Sequence, residues 1–234
     1  LAPIARSDKK DQYAGAYVKE PIPGGYDWAC SFDLNCLYPS LIRFLNISPE
    51  TLLDTKYNGA DVEKFITKDV DITTSEDVCV AANGAAFTKK FQGMLPRIII
   101  NYSDERKAVK KAMLAAMQEN QRNPSDEIER EINRLENRQM AIKILLNSLY
   151  GALGNKYFRY FDQSVAEAIT TSGQLSILTA ETAMNEEMNK ILKTDDDYVI
   201  AIDTDSLYVN FGPLVDKLKP KDIVKTLDSI CNVS

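Results

Sequence analysis

Asn123-Pro124 separates two long stretches of helical periodicity, and no other feature limits the fold of this 234-residue chain so strongly. Pro breaks a helix interior but suits a first helical turn. Upstream, Ser103 is placed to cap a helix whose first turn holds Asp104 and Glu105 and which runs to about Arg122. Downstream, Asn123 is placed as the next cap, and Ile128, Ile132, Leu135, Ile142, Leu146 and Leu149 recur at helical spacing. Two helices of about 20 residues joined by so short a turn predict an antiparallel hairpin about 30 Å long.

The flanking sequence carries both helical and strand patterns. After Asp162, small and apolar residues from Ala166 to Ile191 step by three or four, which predicts a third long helix. Tyr198 to Ile202 and Ser206 to Phe211 read as the strands of a hairpin with Asp203-Thr204-Asp205 at its tip. Tyr26 to Asp33 reads as a buried strand, Pro39 bends the chain into a short helix near 40–46, and Asp222 to Cys231 reads as a helix. Residues 1–25 read as extended connections and residues 50–93 as acidic and irregular. The fold class is α+β, an antiparallel sheet packed by helices.

The chain contains no His, which removes Ser-His-Asp and Cys-His chemistry and His-ligated zinc. Cys30, Cys36, Cys79 and Cys231 lack metal-type spacing and read as reduced thiols. No window approaches the roughly 18 apolar residues of a membrane span, and no signal peptide is visible, so a cytoplasmic protein with no membrane partner is expected. Leu1 in place of Met, and an end at Ser234 within a helical stretch, read as a piece of something longer. The net charge of −6 is unevenly spread. Residues 88–111 hold seven Lys/Arg against Asp104 and Glu105, so a local anion site survives the overall sign.

Asp203 and Asp205 are two apart, which in extended backbone aims both to one side. A turn that merely favours Asp explains the pair alone. Asp33, closing a separate strand, makes a hard divalent cation with oxygen ligands the sharper reading, Mg²⁺ or Mn²⁺ before Zn²⁺. Two such ions suit an in-line phosphoryl displacement. Across the helical hairpin, Arg106 lies 18 residues before Pro124 and Lys143 lies 19 after, with Lys110 and Gln139 one turn away. A solvated helix face accounts for Arg106 and Lys110; a triphosphate accounts for the whole set. Lys143, Asn147 and Tyr150 share a helix face, and Gly151 after them leaves room for a flat group. The run Lys156 to Phe161 is either a nucleic-acid contact or an aromatic core strand.

In order, YAGAYVKEP (13–21), SFDLNCLYPSLIRFLNISPET (31–51), RKAVK (106–110), KILLNSLYGALGN (143–155) and IDTDSLYV (202–209) resemble the linker motif, motif A, the basic fingers helix, motif B and motif C of family B DNA polymerases, most of all the T4-like phage replicative type. Cys36 stands where the family usually has Ser, and Ala201-Ile202 stands where a small or aromatic residue followed by Gly is usual.

The resemblance implies a palm and fingers fragment: palm in 1–98 and 150–234, a two-helix fingers hairpin in 99–149, with the editing exonuclease and the thumb absent. It implies DNA-templated transfer of a nucleotide from dNTP to a primer 3′-OH, with two Mg²⁺ ions (Mn²⁺ possible in their place). Asp33, Asp203, Asp205 and Lys143 are the implied catalytic residues, and Asp33, Asp205 and the Leu34 carbonyl the metal ligands. Leu37, Tyr38, Arg106, Lys110, Lys143 and Asn147 are implied to bind nucleotide, and the Tyr38 ring to exclude a ribose 2′-OH. Tyr150 and Gly151 face the template and nascent base pair, and Tyr13 and Gly15 match the linker motif. Primer–template DNA and, through parts outside this chain, a processivity clamp are the implied partners. A nucleotide- or DNA-binding fragment without activity, and a carboxylate-metal nuclease, are the competing readings.

Overall fold

The computed structural model describes residues 14–70 and 72–231. Its elements run β1 (Val18–Lys19), β2 (Ala29–Asp33), α1 (Leu37–Phe44), β3 (Leu52–Lys56), α2 (Val62–Thr67), β4 (Val78–Val80), β5 (Ala85–Thr88), α3 (Met94–Arg122), α4 (Asp126–Leu153), α5 (Gln163–Leu192), β6 (Val199–Asp203), β7 (Ser206–Asn210), α6 (Gly212–Leu218) and α7 (Ile223–Cys231). Helices plus antiparallel strands bear out the α+β reading. Two compact units divide the chain, one of residues 14–15 and 36–172, the other of residues 16–35 and 173–231.

In the first unit, α3 and α4 form the predicted hairpin, but both are longer than the sequence pattern suggests. At 29 and 28 residues they extend about 43 Å and 42 Å. Ser125, not Asn123, caps α4: its hydroxyl accepts from the Ile128 N–H at 3.2 Å, and Asp126, Glu127 and Glu129 complement the helix dipole. Asn123 instead ends α3. Ser103 caps nothing, because α3 already begins at Met94.

That early start depends on residues far away in sequence. Gly93 precedes α3 and offers no side chain, so the cap comes from the loop after α1. The Ser48 hydroxyl accepts from the Leu95 N–H at 3.3 Å, and the Glu50 carboxylate accepts from the Met94 N–H. Asn46 accepts from the Gly93 N–H at 2.9 Å. A Cβ on Gly93 would meet the Ser48 Cβ at 2.7 Å, so the approach requires glycine.

Residues 50–93 are not irregular. They hold α2 and a three-stranded antiparallel sheet in the order β3-β5-β4. The central strand is buried along its length, with Phe87 at its heart. Phe87 joins Ile42, Ile99, Ile142, Leu153 and Ile169 in the core of this unit.

The second unit is built on a four-stranded antiparallel sheet in the order β1-β6-β7-β2. Ile177, Ile202, Leu207, Val209, Phe211 and Leu227 lie in its core. β2 is not the buried strand its sequence suggests; alternate residues are exposed, and only Cys30 and Phe32 turn toward the core. At the edge, Lys19 of β1 binds Glu181 at 2.6 Å and Asp197 at 2.5 Å. Asn185 joins Asp197 at 2.8 Å and accepts from the Tyr198 N–H, so this network aligns β1 and the entry to β6 on α5.

Candidate active site

Antiparallel register gathers the three predicted aspartates at one end of the four-stranded sheet. Asp33 ends β2 opposite Ser206, and Asp203 ends β6 opposite the same Ser206. The Ser206 hydroxyl donates to Asp33 Oδ2 at 3.4 Å. The Leu34 N–H donates to the Asp205 carbonyl at 2.8 Å, fastening the residue after β2 to the hairpin tip.

The D-x-D segment is not extended. It turns through Thr204, whose φ is 58°, and the Asp205 N–H donates back to the Asp203 carbonyl at 2.7 Å. An i→i+2 turn with positive φ is strained, and for a β-branched residue more so. Three contacts hold it: the Thr204 N–H donates to the Tyr17 carbonyl at 3.0 Å, the Thr204 hydroxyl donates to Asp203 at 3.0 Å, and the Leu34–Asp205 bond braces the far side. The Ile-Asp-Thr-Asp-Ser string signalled two of these residues as acids; Ser206 and the Tyr17 carbonyl were not predicted, and only Ser206 carries a local signal.

Burial pushes the Asp205 carboxyl above its usual range, and the negative charges of Asp33 and Asp203 push it further. Among the described residues no three acidic or thiol side chains already converge as a metal-ligand set. The donor chemistry nevertheless fits a hard cation: carboxylates in mutual repulsion, on a chain that holds no imidazole. Mg²⁺ in particular binds through one or two carboxylates plus substrate phosphates rather than in an all-protein cage.

The first unit carries the predicted basic and aromatic residues. Arg106 Nε donates to Gln139 at 3.4 Å across the hairpin, and Glu105 pairs with Arg138 beside it. Arg106 is therefore level with Gln139, and Lys143 lies one turn, about 6 Å, further along α4. Lys110, Lys143 and Asn147 are exposed. Neither lysine makes an ion pair or hydrogen bond among the described residues. Leu37 and Tyr38 open α1 after Cys36, whose φ is 55°; an α-helix does not itself satisfy the N–H groups of such positions. The Tyr38 and Tyr150 rings lie 4.6 Å apart, tilted by 44°. Gly151 is exposed, and a Cβ there would meet open space. Residues 156–161 form a loop, not a strand, with Lys156 over the Tyr157 ring at 5.1 Å and Arg159 over Tyr160 at 5.5 Å. Gly15 is exposed, while Tyr13 lies outside the described residues.

The profile of DNA polymerase family B matches residues 2–233. The chain belongs to that family. It is 35% identical to the DNA-directed DNA polymerase of Escherichia phage RB69 and 33% identical to that of Enterobacteria phage T4, in each case over 93% of this chain and 29% of the relative. DNA polymerase 1 of Pyrococcus abyssi is 31% identical over 91% of this chain and 23% of its own length. The solved structure of the family B DNA polymerase from the archaeon Pyrobaculum calidifontis superposes with a TM-score of 0.57 at 29% identity, covering 93% of this chain and 25% of that one. The family B chain described here thus spans under a third of the phage relatives it matches. Among the described residues, no helix is long and apolar enough to cross a membrane.

Proposed function

We propose that this family B chain supplies the nucleotide-adding centre of a DNA-templated DNA polymerase, taking dNTP and primer–template DNA as substrates. The observation that carries the reading is the gathering of Asp33, Asp203 and Asp205 by strand register at a braced hairpin tip. Asp33 and Asp205, with the Leu34 carbonyl, would hold two Mg²⁺ ions, and Asp203 would add negative charge beside them. When bound, such ions supply charge stabilisation at the attacking and leaving oxygens.

The remaining work falls to the chain's own residues. Arg106, Lys110 and Lys143 neutralise the triphosphate, with Lys143 placed to return a proton to the pyrophosphate as it leaves. Asn147 and the N–H groups of Leu37 and Tyr38 fix the phosphates in orientation. The Tyr38 ring, backed by Tyr150, fills the space a 2′-OH would need, and Tyr150 and Gly151 border the templated base pair. In this reading residues 99–149 act as fingers and residues 1–98 and 150–234 as palm, with Tyr13 and Gly15 in the linker. A processivity clamp would engage parts found in longer relatives, and the setting is the cytoplasm.

Protection of Lys143 from an amine-acylating reagent tests the reading. dNTP with Mg²⁺ is expected to shield Lys143 and Lys110 while the exposed Lys193 stays reactive. Equal labelling of Lys143 with and without saturating nucleotide overturns it, and leaves the carboxylates to a metal-dependent nuclease, which has no need of a triphosphate-binding lysine.

A further inference from the structure

The strained turn between Asp203 and Asp205 leans on an edge strand that is very short. β1 is two residues long, with Val18 opposite Asp203 and Lys19 opposite Ile202. The Tyr17 carbonyl, just before β1, accepts from the Thr204 N–H at 3.0 Å, and beyond β1 the Ile22 N–H donates to the Ile200 carbonyl at 2.9 Å. A strand well short of the usual length of about five or six residues holds its place weakly by backbone pairing alone. Yet the positive φ of Thr204 is sustained only while the Tyr17 carbonyl stays in position.

What fixes β1 is the Lys19 ammonium. It binds Glu181 on α5 at 2.6 Å and Asp197 at 2.5 Å, and the Lys19 and Glu181 side chains are only 17% and 15% exposed. Through its other oxygen, Asp197 accepts from the Asn185 amide at 2.8 Å and from the Val199 N–H, the first residue of β6, at 3.1 Å. Burial pulls the Lys19 amine down, but hydrogen bonds to Asp197 and Glu181 outweigh it and hold the amine above its ordinary value, so it stays charged. One ammonium thus joins α5, the entry to β6 and β1.

We propose that Lys19 is a positioning residue for the metal site: by fastening β1 to α5 and β6 it keeps the Tyr17 carbonyl in place for Thr204, and so keeps Asp203 and Asp205 in the arrangement that takes a divalent cation. The inference rests on the metal-binding reading above and adds to it a residue that acts through the backbone, not as a ligand. Charge and geometry give opposite signs here. An ammonium near the site disfavours a cation, so its replacement by a neutral side chain tightens metal binding on charge alone. Loss of positioning loosens it, and partners that orient metal ligands carry about 10- to 100-fold in affinity.

The test is Mn²⁺ binding to the full chain without DNA or nucleotide, read from the loss of the free-ion electron paramagnetic resonance signal, with hydrogen exchange at the Thr204 amide as a second readout. The wild type is expected to bind Mn²⁺ at a site that Asp205→Ala removes. Lys19→Met should bind about 10- to 100-fold more weakly and exchange the Thr204 amide faster. Lys19→Gln, a milder change, should move the same way and serves if Lys19→Met does not fold. Val215→Ala, a core truncation in the same unit, should bind as the wild type does, which separates positioning from lost stability. Equal or tighter binding by the Lys19 variants, or equal weakening in Val215→Ala, overturns the proposal and leaves the metal-binding reading standing. A wild type that binds no Mn²⁺ through Asp205 overturns that reading and the proposal with it.

Discussion

Asp33→Asn separates electrostatic strain at the hairpin tip from packing. Asn keeps an oxygen to accept from the Ser206 hydroxyl, so the register contact survives while one negative charge is removed. Two unit charges about 6 Å apart repel by about 0.7 kcal/mol at the dielectric of water and about 2.8 kcal/mol at an effective dielectric of 20. Asp33 is exposed and Asp205 half-buried, so solvent screening places the relief near the low end, about 1 kcal/mol. For a chain of this size that raises Tm by about 2–4 °C in metal-free buffer.

The pH dependence has a definite sign. Asp205 is raised above its unfolded-state value, so between those two values the folded chain holds more proton than the unfolded one and stability falls as pH rises. Below that window the wild type and Asp33→Asn converge; above it the variant stays ahead. Mg²⁺ reverses the ranking. At a hundredfold excess over its dissociation constant a bound ion adds about 2.7 kcal/mol, and the variant should lose most of that gain. Differential scanning calorimetry across pH, with EDTA or with Mg²⁺, reads every arm. A metal-free variant less stable than the wild type, or an equal response of both to Mg²⁺, refutes the reasoning.

Glu50→Ala removes the remote cap of α3 and should cost about 1 kcal/mol by chemical denaturation. Burial pushes the Glu50 carboxyl up, but hydrogen bonds from Ser48 and Met94 outweigh it and hold it below its usual range. Its stabilisation is therefore full above the unfolded carboxyl value and lost as pH falls through the folded one, so wild type and variant should meet in acid. Lys19→Met leaves Glu181 and Asp197 without their shared cation, and should lower stability by about 1–3 kcal/mol with faster hydrogen exchange in β1 and β6. Tyr38→Ala should weaken discrimination against ribonucleotides in competitive nucleotide binding, and cost about 0.5–1.5 kcal/mol through loss of the ring pair with Tyr150; unchanged discrimination would remove Tyr38 from that role.

Local patterns were readable, and remote dependences were not. The β6–β7 hairpin and α5 were legible because strand alternation, an acidic tip and a long stripe of small residues all act between near neighbours. The start of α3 was hidden: its caps, Ser48 and Glu50, lie more than forty residues upstream, while Ser103 offered a misleading local alternative. The three-stranded sheet escaped notice because its central strand opens with Ala85 and Ala86, residues of poor strand propensity that serve there as small core residues. At the site, Asp33, Asp203 and Asp205 were nameable from sequence, and antiparallel register explains why they share one end of the sheet. The turn joining two of them was misjudged, because a positive φ at Thr204 follows from bonds to Tyr17 and Asp203 and not from the residue's own preference.

Single-turnover addition of one nucleotide tests the central claim most directly, with the chain in excess over a labelled primer–template and dNTP saturating. The account predicts addition of the templated nucleotide that requires Mg²⁺ and that Asp205→Ala lowers by about a thousandfold or more, a loss of about 4 kcal/mol in transition-state stabilisation. No addition by the wild type with DNA and nucleotide both shown to be bound, or addition that survives Asp205→Ala, would contradict it.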